Sequence, residues 1–400
     1  MGQPNPPPPS YPNVMLHTIF SDMFQLPLPI LEKRLRPAVV CLALAARLAF
    51  LPDGAAAQPC TLDRATGTTI DAQPFSKGAY GMSWNLAANR IVYMAPGSNG
   101  YYRVYTRKPD GSDVRAITEG IPSLPTKHQG APIWHPSGKY VLIEAEKQEW
   151  RDTRMFGSPD YGALPGFGMH DDMWLVAADG SKAWRLTNEP MDKQQGILLP
   201  IFSPDGRRIA WSDRQPDKTY VIKVADFYLT PEPHLGPARS YTPGGKQYYE
   251  PGSFSSDGKS LLYTSDQDTH NFWLSQIYRL DLATGRSVRL TFGVTYNEHP
   301  VVVPTPTGDW VVYMSSQGSH RRPMRLTLGT DWFAVRLDGT GRKRLTSMNT
   351  LDHSSPEYSS QPMVACRITM GPDPTFFLGD IQDSLVRQTG LVKVVRFTCK

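Results

Sequence analysis

The sequence predicts an all-β chain built from repeated four-stranded units, and three observations carry that expectation. First, a turn tetrad, Ser203-Pro204-Asp205-Gly206, returns in imperfect copies as Asn85-Leu86-Ala87-Ala88, His135-Pro136-Ser137-Gly138, Ser255-Ser256-Asp257-Gly258, Pro306-Thr307-Gly308 and Gly371-Pro372-Asp373-Pro374. Second, the last residues of these copies, 88, 138, 206, 258, 308 and 374, are spaced by 50, 68, 52, 50 and 66 positions, which is the self-similarity of a repeat architecture. Third, the segments between copies carry no helical period; they are short runs of β-forming residues punctuated by turn signals.

Each unit reads in the same order. An apolar residue four before the end of the tetrad (Trp84, Trp134, Phe202, Phe254, Met370) brings a first strand into the turn. There proline fixes φ and glycine supplies φ > 0. A second strand leaves it, as in Arg90-Ile91-Val92-Tyr93, Tyr140-Val141-Leu142-Ile143, Ser260-Leu261-Leu262-Tyr263 and Trp310-Val311-Val312-Tyr313. These runs are almost continuously apolar, the pattern of strands covered on both faces. A third strand ends in a glycine turn: Tyr102 to Tyr105 before Asp110-Gly111, Met173 to Val176 before Asp179-Gly180, Ile277 to Leu280 before Thr284-Gly285, Trp332 to Val335 before Asp338-Gly339. The fourth closes on an apolar-Thr pair: Ile117-Thr118, Leu186-Thr187, Leu290-Thr291, Leu345-Thr346, with Tyr241-Thr242 a weaker version. Four antiparallel strands in roughly fifty residues make a propeller blade. The predicted fold is therefore a six-bladed β-propeller spanning residues 58–400.

The grammar of aromatic residue, Ser-Pro-Asp-Gly-Lys/Arg, apolar strand, Asp-Gly and Leu-Thr resembles the TolB-type propeller repeat, a relative of the WD-repeat blade that also occurs in prolyl oligopeptidase-type enzymes. The resemblance covers about residues 79 to 398 and implies the architecture. It implies no activity, because the motif is a turn-and-strand signature without a reactive group.

The last unit has strands around Ala365 to Ile368, Thr375 to Leu378 and Leu391 to Phe397, and then runs out before a fourth. Gly67-Thr68-Thr69-Ile70-Asp71, ahead of the first blade, is expected to supply it and so leave no open sheet edge. That closure would bring Cys60 and Cys399 together as a disulfide; the alternative is two unpaired cysteines at frayed ends.

Residues 1–57 read as leader rather than fold. Pro6 to Pro9 open a proline-rich lead, Lys33, Arg34 and Arg36 precede the apolar stretch Ala38 to Leu51, and Ala55-Ala56-Ala57 follows it. This is the pattern of a secretory signal peptide with an Ala-x-Ala cleavage site, and its core is too short for a membrane span. Translation is expected to begin at Met15 or Met23. The expected location is periplasmic or secreted. Net charge is +5 over the chain, and no basic cluster with interleaved aromatics appears, so nucleic acid is not an expected partner.

In a propeller the turns between strands one and two, and three and four, share one face; the connections between strands two and three, and between blades, share the other. The first set is mostly tight here, while the second holds the long segments Lys147 to Asp172, Ser265 to Ser275, Ser315 to Asp331 and Ser347 to Ser355. Long loops on a rigid scaffold are where sites are built. Six histidines, His128, His170, His270, His299, His320 and His353, map to that face, several beside an acid such as Asp171, Glu298 or Asp352. His128, His299 and His353 each precede an innermost strand and, with Glu250, are expected to ring the channel mouth, where imidazoles and carboxylates would bind a divalent metal or act in acid–base chemistry. The metal set is His128, His299 and His353. His170, Asp171, His320 and Arg321 complete the expected binding residues; dispersed surface histidines are the alternative. The aromatic loop Trp150 to His170 reads either as a platform for a sugar or peptide or as packing that steadies a long insertion.

No Gly-x-Ser-x-Gly elbow and no phosphate-binding glycine loop occurs, which sets aside hydrolase-domain and nucleotide chemistry. Two readings remain. One is an exported, monomeric, non-catalytic scaffold, free of cofactor, for a protein or glycan partner. The other is a metal-dependent polysaccharide lyase or hydrolase; oligogalacturonate lyases look similar at the level of the repeat and place a histidine-bound metal in the channel.

Overall fold

A computed structural model describes residues 66–68, 79–150, 164–191, 194–305, 307–320, 328–355, 358–371, 376–382 and 391–396. The proposed leader, Cys60, Cys399 and Arg321 lie outside them. The described residues are strands and connections without an α-helix, and no helix among them is long and apolar enough to cross a membrane.

After β1 (Thr66–Thr68), five sheets follow from consecutive stretches of chain. They are β2 (Tyr80–Asn85), β3 (Arg90–Pro96), β4 (Tyr102–Arg107) and β5 (Arg115–Ala116); then β6 (Gln129–Trp134), β7 (Tyr140–Glu146), β8 (Asp171–Ala177) and β9 (Ala183–Arg185). The third holds β10 (Gly196–Phe202), β11 (Arg208–Arg214), β12 (Tyr220–Tyr228), β13 (His234–Leu235) and β14 (Arg239–Tyr241). The fourth holds β15 (Tyr249–Phe254), β16 (Ser260–Ser265), β17 (Gln276–Asp281) and β18 (Ser287–Arg289), and the fifth β19 (Asn297–Val303), β20 (Trp310–Ser315), β21 (Asp331–Arg336) and β22 (Lys343–Arg344). A further sheet is assembled from both ends of the described chain: β23 (Val364–Met370), β24 (Phe376–Gln382) and β25 (Leu391–Arg396), with β1 antiparallel to β25 through Thr66–Arg396, Gly67–Val395 and Thr68–Val394.

The innermost strands touch in the cycle β2, β6, β10, β15, β19, β23 and back to β2. Apolar layers fill the wedges between sheets. Val92 and Val104 meet Trp134, Val141 and Ile143, and Ile91 and Tyr93 meet Leu378 of β24. Second strands are buried almost throughout, which is why their sequence does not alternate.

The repeated signatures have mechanical causes. In the Ser203 turn, Gly206 N–H donates to Ser203 O (2.8 Å) with Gly206 at φ 71°, while the Ser203 hydroxyl donates to Asp205 (2.6 Å) and accepts from Arg208 N–H (2.9 Å). Successive turns also clasp each other. Asn85 Nδ2 donates to His135 O (3.0 Å), His135 Nε2 lies 3.2 Å from Gly206 O, and Arg208 donates to Gly258 O (2.6 Å).

In the weaker Tyr241-Thr242 version Tyr241 is the last residue of β14; the other four apolar-Thr pairs stand just beyond the fourth strands rather than inside them. Their threonine hydroxyls accept from third-strand amides: Val104 N–H to Thr118 (3.0 Å), Met173 to Thr187 (2.9 Å), Ile277 to Thr291 (2.9 Å) and Trp332 to Thr346 (3.0 Å). A side chain thus satisfies the amide where the outer strand has already ended.

Candidate functional site

Every innermost strand breaks register with its neighbour midway: between Tyr80 and Ser83, Gly130 and Ile133, Leu198 and Ile201, Pro251 and Ser253, Glu298 and Val301, and Ala365 and Ile368. These are β-bulges, which bend a strand and re-aim its side chains. Four carry a residue at positive φ: Gly81 (65°), Ala131 (47°), Leu199 (45°) and His299 (56°). The bulges lie at one level around the channel and line a cavity of about 220 Å³ on the side of the long second-to-third-strand connections. Its wall is mainly apolar and aromatic, with Met94, Leu199, Tyr220, Tyr248, Phe272 and Tyr296 prominent.

One polar cluster interrupts that wall. His299 Nε2 lies 3.3 Å from Glu250 Oε1 and 3.8 Å from Glu298 Oε2. One ligand atom from each of the three residues falls within 4.8 Å of the others. Neighbours along a strand ordinarily point to opposite faces; the left-handed turn at His299 puts both Glu298 and His299 on the channel side. The Glu250 side chain is 4 % exposed and that of Glu298 9 %. Tyr248 OH donates to Glu250 Oε2, whereas Glu250 Oε1 and His299 Nδ1 have no hydrogen-bond partner among the described residues. Burial, and then the Glu250 charge, pushes Glu298 well above the usual carboxylate range, and burial lowers His299. Across the channel floor Arg367 donates to Gly252 O (2.8 Å). Arg367 lines both this cavity and a second one, about 230 Å³, toward the tight turns.

Two of the expected channel residues, Glu250 and His299, meet here; the proposed metal set of His128, His299 and His353 does not assemble. His128 is buried outside the cavity, accepting Tyr102 N–H at Nδ1 (3.1 Å) and packing edge-on to Tyr101. His353 is exposed and stacks on Tyr358. Both precede innermost strands, but each was engaged locally before reaching the bulge level that faces the axis. His170 and Asp171 also leave the list of accessible binding groups: the His170 ring stacks on Trp150 (3.4 Å), and buried Asp171 accepts Ile197 N–H (2.8 Å). His320 is exposed, with Nδ1 2.9 Å from Asn349 O.

Glu298, Tyr248, Tyr296 and Arg367 were not singled out as site residues from sequence. A usable signal exists in Ala131-Pro132, Leu199-Pro200 and His299-Pro300, which recur three and two residues before the strand-exit positions Trp134, Phe202 and Val302. That column is the bulge.

Glu144 and Asp171 form a second buried acidic pair, beside the cavity wall. Glu144 accepts the amides of Leu199 (2.7 Å) and Gly166, so it holds the Leu199 bulge. Burial raises Glu144 to about 7 and Asp171 well above its ordinary value; the Glu144 charge lifts Asp171 further, whereas the hydrogen bond from Asp171 draws Glu144 down.

No protein-family model matches the chain. Over 216 residues it is 29% identical to an uncharacterized protein of Agrobacterium fabrum, 54% of this chain and 57% of that one, and over 152 residues 28% identical to Tricorn protease homolog 1 of Streptomyces coelicolor, 37% of this chain and 13% of that one. The chain thus spans little more than half of one curated relative and a small part of the other. Among solved structures it resembles one described as a TolB from Agrobacterium tumefaciens, with a TM-score of 0.50 and 16% identity over 81% of this chain and 91% of that one.

Proposed function

Taking the TolB-type propeller fold as premise, we propose that this protein is an exported binding propeller that captures a partner on its long-loop face, with an apolar group of that partner seated in the central cavity. The reading favours a protein partner over a glycan, because the wall offers Met94, Leu199, Phe272 and three tyrosines, Tyr220, Tyr248 and Tyr296, with few of the polar groups that sugar hydroxyls require. The observation that carries it is the cavity itself, ringed by strained bulges and closed below by Arg367. Left-handed non-glycine residues such as Leu199 cost about 1–3 kcal/mol each and persist where the surrounding structure holds them. Export rests on the basic, apolar and Ala-x-Ala order of residues 33–57. The same reading counts the end-assembled sheet as a sixth blade with Thr66–Thr68 as its outer strand, and the ring as a working monomer.

The test is a peptide array and an oligosaccharide array probed with the purified full chain and with Leu199→Trp, which fills the cavity. Peptide signals lost in Leu199→Trp support the proposal. Oligosaccharide signals alone, or peptide signals indifferent to the substitution in a variant of unchanged far-ultraviolet spectrum, overturn it.

The scaffold reading is preferred to the enzymatic one because the three histidines on which a lyase-like metal centre was expected are dispersed.

A further inference from the structure

We propose that Glu250, Glu298 and His299 form a binding site for one divalent first-row transition cation, with manganese or zinc the fitting ions, at the floor of the central cavity.

Ligand geometry comes first. Metal–oxygen and metal–imidazole bonds of about 2.0–2.2 Å place neighbouring donor atoms roughly 3–3.6 Å apart in octahedral or tetrahedral arrangements. Of the distances from His299 Nε2, 3.3 Å to Glu250 falls inside that range and 3.8 Å to Glu298 slightly above it, within reach of a small side-chain adjustment. An imidazole with two carboxylates suits manganese, iron, cobalt or zinc better than calcium or magnesium, which select oxygen-only sets.

The second observation is independent of spacing. Glu250 Oε1, on a side chain only 4 % exposed, lines the cavity with no hydrogen-bond donor among the described residues, although a buried carboxylate oxygen ordinarily has one. Its other oxygen is held by the Tyr248 hydroxyl. An outer partner of this kind orients a ligating carboxylate. A cation at the centre would supply the missing partner to Oε1 and remove the repulsion between two carboxylates.

Charge agrees with the assignment. Arg367 faces Glu250 and donates to Gly252 O, on the far side of the floor. With both carboxyls in the ionised form that ligates a metal, the single positive charge of Arg367 leaves the pocket net negative by one, which a cation offsets. Three protein donors leave coordination positions open toward the apolar cavity, the arrangement of a site that also takes an exogenous ligand atom. Cation binding requires no partner protein, so its failure would leave the capture proposal standing, and the converse also holds.

The experiment uses the full chain stripped with chelator and exchanged into metal-free buffer. MnCl₂ and ZnCl₂ are titrated separately, followed by calorimetry and, for manganese, by loss of the free-ion electron paramagnetic resonance signal. The expected result is one saturable site per chain for at least one of the two ions, with affinity falling at least tenfold in Glu298→Gln and in His299→Gln. Binding that stays at one site in both variants is adventitious and overturns the proposal. So does the absence of saturable binding of either ion to the wild type, which would leave the two carboxyls as an acid pair sharing a proton. A thermal-melt comparison of the metal-free proteins guards against misfolding: where a substituted chain melts early, the rise in wild-type melting temperature with added ion must stand alone, and its absence counts against the site.

Discussion

The two halves of the central channel are made from the same six strands yet differ in chemistry. Toward the tight turns the lining is Ser83, Ser253, Thr369 and proline or apolar residues from the strand exits, and the turns behind them clasp one another. Toward the long loops it is methionine, tyrosine and phenylalanine around Glu250, Glu298 and His299. The bulge separates the halves in every sheet. The register break recurs in all six, four of them through a residue at positive φ, but what each bulge carries, from Gly81 to His299, differs. Repetition therefore dictates the frame, and function resides in the departures from it.

The strongest way to break this comparison is to spoil the bulge layer. A Cβ added at Gly252 would lie 2.2 Å from Pro300 O and 2.5 Å from Pro300 Cγ, where rigid backbone cannot yield. Gly252→Ala is expected to cost about 3 kcal/mol, the upper part of the overpacking range, read as a fall in denaturant midpoint. An unchanged midpoint would show that the close approach of β15 to β19 does not set the ring.

The frame itself is sharpened by Thr291→Val. Thr291 is fully buried; its hydroxyl accepts from Ile277 N–H and donates to Gln276 Oε1 (2.9 Å). Valine keeps the shape and orphans the amide, for a loss of about 2 kcal/mol. Equal stability of Thr291→Val and wild type would remove the role assigned to the apolar-Thr signature.

The smallest effect is confined in pH. Glu144 titrates at about 7 in the folded chain, raised by burial, against an ordinary value of 4.5, with Asp171, Glu250 and Arg367 as the charged groups that act on it. A raised folded value stabilises the protonated form. The contribution is thus complete below about pH 4.5 and is lost as pH climbs through about 7. Wild-type stability relative to Glu144→Gln should fall across that window; parallel curves from pH 4.5 to 7.5 would refute the assignment.

Much of the frame was legible in sequence because its causes are local. Gly206 needs φ > 0, Asp205 caps its own turn, and a strand covered on both faces has to be apolar. The fourth strands were misplaced by a few residues because Thr118 and its equivalents bond through side chains, which a strand pattern does not distinguish from backbone pairing. The site was only half legible. Glu250 and His299 were found from their position before or within innermost strands, but period-two alternation excludes Glu298 beside His299, and only the bulge reverses that. Leu199 and His299 at positive φ give no glycine to betray the bend. His128 and His353 show the opposite error: read, like His299, as preceding innermost strands, they stand outside the bulge column, against Tyr102 and Tyr358.

The three-residue pairing of Thr66–Thr68 with β25 sets Thr66 directly opposite Arg396. A short peptide spliced between these strands would turn them into an ordinary hairpin, and new termini cut at the exposed Ala283-Thr284 turn would yield a circular permutant with the same contacts. Conversely, pulling Thr66–Thr68 away from β25 should unzip this seam first, so that amide exchange begins there while the interior sheets remain protected.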